Sequence, residues 1–272
     1  MKLYNPNELD QEYNSTGFLM LLYGATGVGK SVSTMQSAPD PILYLMTESR
    51  DPRKFLKEAG RPGVKIKFAF YEKWDELLEF FANTDNFAPY KTVVIDSLTF
   101  LSTGIGLEIE DESWDAVDAK TKSKKPIVMR TKMSQEGYGG LASSMLRFTK
   151  LCGELTKQGK VVICLALMEE NPNYKRELQA GPSLDGKKYP RNMGGFFDMI
   201  GMVVGRTDAN GENVYPPGIV FSGDETFMHK KYGNVSKSIF DIKRILEKAA
   251  EVSTTTDKSN DNREGGAAGD TE

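Results

Sequence analysis

Histidine and cysteine are nearly missing from this chain of 272 residues, which holds one histidine, His229, and two cysteines, Cys152 and Cys164. That scarcity excludes a zinc cluster of the usual Cys/His kind and gives a Ser-His-Asp hydrolase little to work with. Both cysteines fall in segments that read as a helix and a buried strand, where small core hydrophobes are expected. Long hydrophobic runs are lacking as well. Apolar stretches such as "ILYLM" (42–46) and "VVICLALM" (161–168) fall far short of the roughly 20 residues that span a bilayer, so no membrane association is expected. The opening "MKLYNPNELDQEYNSTG" is polar, without the charged-then-apolar order of a signal peptide. These features read as cytoplasmic. Nor does one charge dominate: 35 Lys and Arg against 38 Asp and Glu leave a net charge of −3, which argues against an all-over basic coat for nucleic acid.

The charge that is present is segregated. Residues 108–118, "EIEDESWDAVD", hold six acids and no base, whereas 119–133, "AKTKSKKPIVMRTKM", hold six bases and no acid. Residues 251–272 carry six acids against two bases without apolar periodicity, the composition of a disordered acidic tail that serves solubility or competes with nucleic acid for a basic surface.

Between these blocks the periodicity alternates. "GFLMLLYG" (17–24) is a short apolar run, "KSVSTMQSA" (30–38) a helix of about two turns, and "PILYLMTE" (41–48) a buried strand. "DPRKFLKEAG" (51–60) has the marks of a helix, with Asp51 as N-cap, Pro52 at the first position and Gly60 as the stop. "VKIKFAF" (64–70), "EKWDELLEFFAN" (72–83) and "KTVVIDS" (91–97) follow as strand, helix and strand. Such alternation means a mainly parallel sheet flanked by helices. From about 101 to 140 no firm period is read, so an irregular functional insertion is expected there. A long helix over 138–159 and the strand 161–168 come next, and a second irregular stretch is expected over 169–195. Two late strands, joined across an Asn210-Gly211 turn, imply antiparallel pairing towards the C-terminus, and a last helix places Ile239, Ile242, Ile245, Leu246 and Ala249 on one face.

The chemistry begins at "GATGVGKS": Gly24, four residues, Gly29, Lys30, Ser31. Glycines at these spacings let backbone N–H groups turn inward around a polyphosphate, a lysine neutralises the outer phosphates, and a serine hydroxyl holds magnesium. Gly24, Ala25, Thr26, Gly27, Val28, Gly29, Lys30 and Ser31 are therefore the candidate nucleotide loop for ATP and Mg2+. Asp96, ending the apolar strand "TVVIDS", is the candidate second magnesium ligand. Glu48, ending the strand after the loop helix, is the candidate for orienting or deprotonating an attacking water, with a solvated strand-end charge as the alternative.

"GATGVGKS", "ILYLMTESRDP", "VVIDSLTFL", "YGGLASSMLRFTKLCGEL" and "VVICLAL", in that order, resemble the RecA-like ATPase core. The chain is most similar to the phage nucleotide-binding AAA-domain family, which includes RecA-like single-strand annealing proteins. The resemblance covers about residues 17–247. It implies an α/β RecA-like P-loop domain over 17–250 between an N-terminal extension (1–16) and the tail (251–272). It further implies Lys30 and Glu48 as catalytic, Ser31 and Asp96 on magnesium, and single-stranded DNA held by the two irregular basic stretches. The candidates there are Lys120, Lys122, Lys124, Lys125, Arg130 and Lys132 in the first, and Lys175, Arg176, Lys187, Lys188 and Arg191 in the second, with Tyr174 or Tyr189 stacking on bases. "FMHKKYG" (227–233) resembles the segment that reaches a neighbouring subunit's nucleotide, making Lys230 and Lys231 candidates for a γ-phosphate in trans within a homo-oligomeric ring or filament.

The resemblance also implies a DNA-stimulated ATPase of recombination or annealing in the cytoplasm of a phage-infected bacterium, with a single-strand-binding protein as a further partner. Two departures stand out. The strand that usually ends in a polar Gln or His sensor here reads "CLALMEE", and no separate polymerisation domain precedes the core. A P-loop kinase of a small acceptor, and a nucleotide-switched loader or scaffold for replication proteins, are the competing readings.

Overall fold

A computed structural model describes residues 16–121, 133–223 and 225–260. Nine strands form a sheet in the order β3-β2-β4-β5-β1-β7-β8-β9, with β6 paired to β5 beyond this path. They are β1 (Phe18–Gly24), β2 (Ile42–Met46), β3 (Ile66–Phe70), β4 (Thr92–Asp96), β5 (Val161–Glu170), β6 (Ala180–Pro182), β7 (Met199–Thr207), β8 (Asn213–Val220) and β9 (Lys237–Ile239). Pairings among β3, β2, β4, β5, β1 and β7 are parallel, and β7–β8, β8–β9 and β5–β6 are antiparallel. This is the expected α/β arrangement, a mainly parallel sheet flanked by helices with its antiparallel strands towards the C-terminus.

The central strands are buried along their whole length, as parallel strands covered on both faces must be. Because successive side chains point to opposite faces, Leu19, Leu21 and Tyr23 join one core with Phe81, Phe148 and Leu101, while Met20 and Leu22 join another with Val32, Met35, Ile242 and Ile245. Helices α3 (Trp74–Ala82), α4 (Leu98–Thr121) and α5 (Gln135–Lys157) cover the first face. Helices α1 (Lys30–Ser37), α2 (Pro52–Ala59) and α7 (Ile242–Asn260) cover the second, and a short α6 (Lys188–Asn192) lies beyond β6. The Asp51 side chain accepts from the Arg53 backbone N–H at 3.0 Å and caps α2, with Gly60 in the left-handed region at its end.

Three expectations are corrected. The first irregular stretch is helical at both ends: α4 runs to Thr121 and α5 starts at Gln135. Leu98, Leu101 and Ile105 bury at helical spacing, and Gly104 is a packing residue, since a Cβ there would lie 2.8 Å from Tyr71 Cε1. Part of the acidic block is structural too, because Glu108 accepts from the Tyr71 hydroxyl and, at 3.0 Å, from the Trp74 N–H. The second stretch contains the end of β5, then β6 and α6. Finally, α7 continues to Asn260, ten residues into the expected tail, whose remainder lies outside the described residues, as does nearly all of the N-terminal extension.

Candidate nucleotide site

The parallel strands end together on one edge of the sheet, the place where open α/β sheets bind ligands. Gly24 closes β1, Asp96 closes β4, Glu48 follows β2 by two residues, and Leu167 lies in β5. Thr26, Gly27, Gly29, Lys30, Ser31, Glu48, Arg50, Asp96 and Leu167 line one cleft. Two glycines shape the loop. A Cβ at Gly24 would sit 2.6 Å from the Val203 carbonyl oxygen, and Gly29 enters α1 at φ 93°, the left-handed region.

Within the cleft the side chains are engaged with one another. Lys30 is buried, its Nζ donating to the carbonyls of Gly24 at 2.7 Å and Ala25 at 2.9 Å. Burial pulls its pKa down to about 8, opposed by the nearby carboxylates of Asp96 and Glu48. Ser31 Oγ and the Tyr44 hydroxyl each donate to Asp96 Oδ2 at 2.6 Å. Tyr44 is fully buried, and desolvation with the adjacent Asp96 charge pushes its phenol well up. Glu48 is ion-paired with Arg50 Nε at 2.7 Å. Desolvation raises the Glu48 pKa, with Arg50 opposing and Asp96 adding to the rise.

The donors suit magnesium. Ser31 and Asp96 offer hard oxygens 2.6 Å apart, close to the ~2.9 Å between adjacent ligands of an octahedral ion with bonds of about 2.0–2.1 Å. Magnesium takes one or two protein oxygens and completes its shell with phosphate and water, which is what this pair of donors offers.

The other candidates fall elsewhere. Ala25 and Val28 also border a neighbouring cavity with Met202, Val203 and Phe227. Lys230 Nζ donates to the carbonyls of Phe197 at 2.5 Å and Gly194 at 3.4 Å, and Lys231 is exposed. Lys120, Lys175, Arg176, Lys187 and Lys188 are exposed. Arg191 donates through Nε to the Tyr174 carbonyl, while Lys122, Lys124, Lys125, Arg130 and Lys132 lie outside the described residues. The stacking expectation is overturned: Tyr174 and Tyr189 are each 1% exposed. Their hydroxyls are spent inside, Tyr174 donating to the Pro182 carbonyl at 2.9 Å and Tyr189 bonding Thr149 Oγ1 at 2.8 Å.

Sequence reasoning passed over three residues. Tyr44 was hidden in an apolar run, and Arg50 stood two residues past the glutamate it pairs with. Tyr215, 48% exposed on β8, bonds Ser33 Oγ at 2.7 Å and lies so near Gly29 that a Cβ there would be 2.8 Å from its ring. Nothing short of the β1–β7–β8 pairing links it to the loop.

Fold and cleft together define a P-loop nucleotide-binding protein of α/β architecture. The chain belongs to the AAA_24 family, whose model, described as an AAA domain, matches residues 16–231. Among solved structures, a crystal structure of the RadB recombinase is similar at 13% identity and a TM-score of 0.44, over 75% of this chain and 80% of that one. No curated protein matches the chain. Among the described residues, no helix is long and apolar enough to cross a membrane.

Proposed function

We propose that the protein is a magnesium-dependent ATPase that binds single-stranded DNA in phage-type recombination or strand annealing. The observation that carries the ATPase reading is the meeting of Lys30, Ser31, Glu48 and Asp96 in one cleft. Lys30 exchanges the Gly24 and Ala25 carbonyls for the outer phosphates of ATP. Ser31 and Asp96 hold magnesium, which when bound neutralises the charge that develops on the phosphates. Glu48, its carboxylate made more basic by burial, takes the proton of the attacking water, and Arg50 fixes its orientation. Tyr215 offers a half-exposed ring beside the loop for the adenine.

The DNA reading is supported by a cavity of about 800 Å3 beside the second basic stretch, lined by Gln135, Tyr138, Asn173, Lys187 and Lys188 among others. Tyr138, 46% exposed, supplies the aromatic face that Tyr174 and Tyr189 do not. Glu169 and Asp185 line the same cavity, so the lysines there meet a mixed field. Assembly as a ring or filament, with Lys231 turned to a neighbour's γ-phosphate and Lys230 giving up the Phe197 and Gly194 carbonyls to join it, completes the reading. A single-strand-binding protein fits as a further partner.

Fluorescence anisotropy of a labelled single-stranded oligonucleotide, with and without ATP and magnesium, tests it. Binding strengthened by ATP and weakened by salt is expected, with Lys187→Ala and Lys188→Ala each lowering the salt slope by about 0.7. Absence of binding in both nucleotide conditions would sink the DNA reading.

A further inference from the structure

Leu167, rather than a polar side chain, lines the nucleotide cleft from β5, and a hydrogen-bonded path leads from this residue to the 183–188 segment. That route is visible at the start of α4. Thr99 Oγ1 accepts from the Leu167 N–H at 2.9 Å and donates to the Ser183 carbonyl at 2.8 Å. The Ser183 N–H in turn donates to the Leu167 carbonyl at 2.8 Å. One turn further along α4, the Thr103 hydroxyl donates to Asp185 Oδ2 at 2.8 Å, and the Ser102 hydroxyl, 2.9 Å from the Thr99 carbonyl and 3.2 Å from the same carboxylate oxygen, accepts from the Asp185 N–H at 3.4 Å.

The same end of α4 is tied to the cleft. Its first residue follows Ser97, which directly succeeds Asp96. The Ser97 N–H donates to Thr47 Oγ1 at 2.7 Å, and its carbonyl accepts the Thr47 hydroxyl at 2.8 Å, beside Glu48. Leu98, Leu101 and Ile105 anchor the same helix in the core. A small shift at Asp96 and Ser97 is therefore passed on by a packed helix rather than absorbed, because close-packed interiors deform little. Ser102 is 1% exposed, so its hydroxyl is confined to the Thr99 carbonyl and Asp185.

We propose that Thr99, Ser102 and Thr103 form a hydroxyl relay on α4 through which occupancy of the nucleotide cleft sets the position of the segment bearing Lys187 and Lys188. The proposal rests on the nucleotide reading of the cleft, and only its consequence for DNA rests on the DNA reading.

Hydrogen-exchange mass spectrometry on the full chain, with and without a magnesium-bound non-hydrolysable ATP analogue, tests it. In the native protein the analogue slows exchange of the 183–188 amides by about fivefold or more, the lower end of common site-to-site couplings. Thr99→Val and the surface change Asp185→Ala each shrink that response, the double variant abolishes it, and Thr99→Ser restores it. A fluorescent ATP analogue binds all variants within about twofold of native, showing that the cleft is intact. A native response of zero despite nucleotide binding, or a response undiminished in the double variant, overturns the relay. A native protein that binds no nucleotide sinks the relay together with the cleft reading. Failure to bind oligonucleotide sinks the DNA reading alone and leaves the exchange result to judge the relay.

Discussion

Ser31 and Asp96, 65 residues apart in the chain, meet through a 2.6 Å hydrogen bond from Ser31 Oγ to Asp96 Oδ2. The bond joins the start of α1 to the end of β4, and with the Tyr44 hydroxyl on the same oxygen it holds Asp96 at the cleft floor.

Tyr44→Phe removes one of those two donors while keeping the ring in the core. A hydrogen bond to a charged acceptor contributes about 1.5–3 kcal/mol, so urea unfolding should show a loss of that order. An unchanged midpoint would mean that the phenol does not support Asp96.

Arg50→Ala leaves Glu48 without its paired cation. Arg50 opposes the rise in the Glu48 pKa, so its removal raises that pKa further. The proposed role as base requires Glu48 unprotonated, so the acidic limb of the pH profile of kcat/KM should move to higher pH. A limb that stays in place would separate Arg50 from the base.

Tyr215→Ala removes the aromatic face beside Gly29. If adenine stacks there, ATP affinity falls about 5- to 150-fold, from roughly 1–3 kcal/mol per stacked base. Inorganic tripolyphosphate, which has no base, should bind the variant as it binds the native protein. Equal losses for both ligands would instead mean that Tyr215 supports the loop through Ser33.

Tyr138→Ala should weaken oligonucleotide binding without lowering its salt slope, because stacking releases no counterions. Calorimetry or anisotropy at two salt concentrations separates this from loss of a lysine. A reduced slope would show that Tyr138 acts on the phosphates instead.

Much of the fold was legible because the strands are short apolar runs between helix signals, and "GATGVGKS" carries its own geometry. Asp96 and Glu48 could be placed because strand ends in a parallel sheet share an edge. What stayed hidden depended on contacts distant in the chain. Residues 101–121 gave no firm period until the structure placed Leu101 and Ile105 in the core and Gly104 against the Tyr71 ring. Tyr174 and Tyr189, set among lysines, looked exposed, yet the Pro182 carbonyl and Thr149 hydroxyl give their phenols buried partners. Tyr44 shows the converse: a polar atom inside an apolar strand, accounted for only by the carboxylate of the neighbouring strand.

The most direct test of the account is the rate of phosphate release from ATP with magnesium, with and without single-stranded DNA, for the native protein, Lys30→Ala and Glu48→Gln. The account predicts release by the native protein that DNA stimulates, and a loss of at least about a hundredfold in each variant, within the range for a missing general base or charge stabiliser. Undiminished release in Lys30→Ala or Glu48→Gln would contradict it.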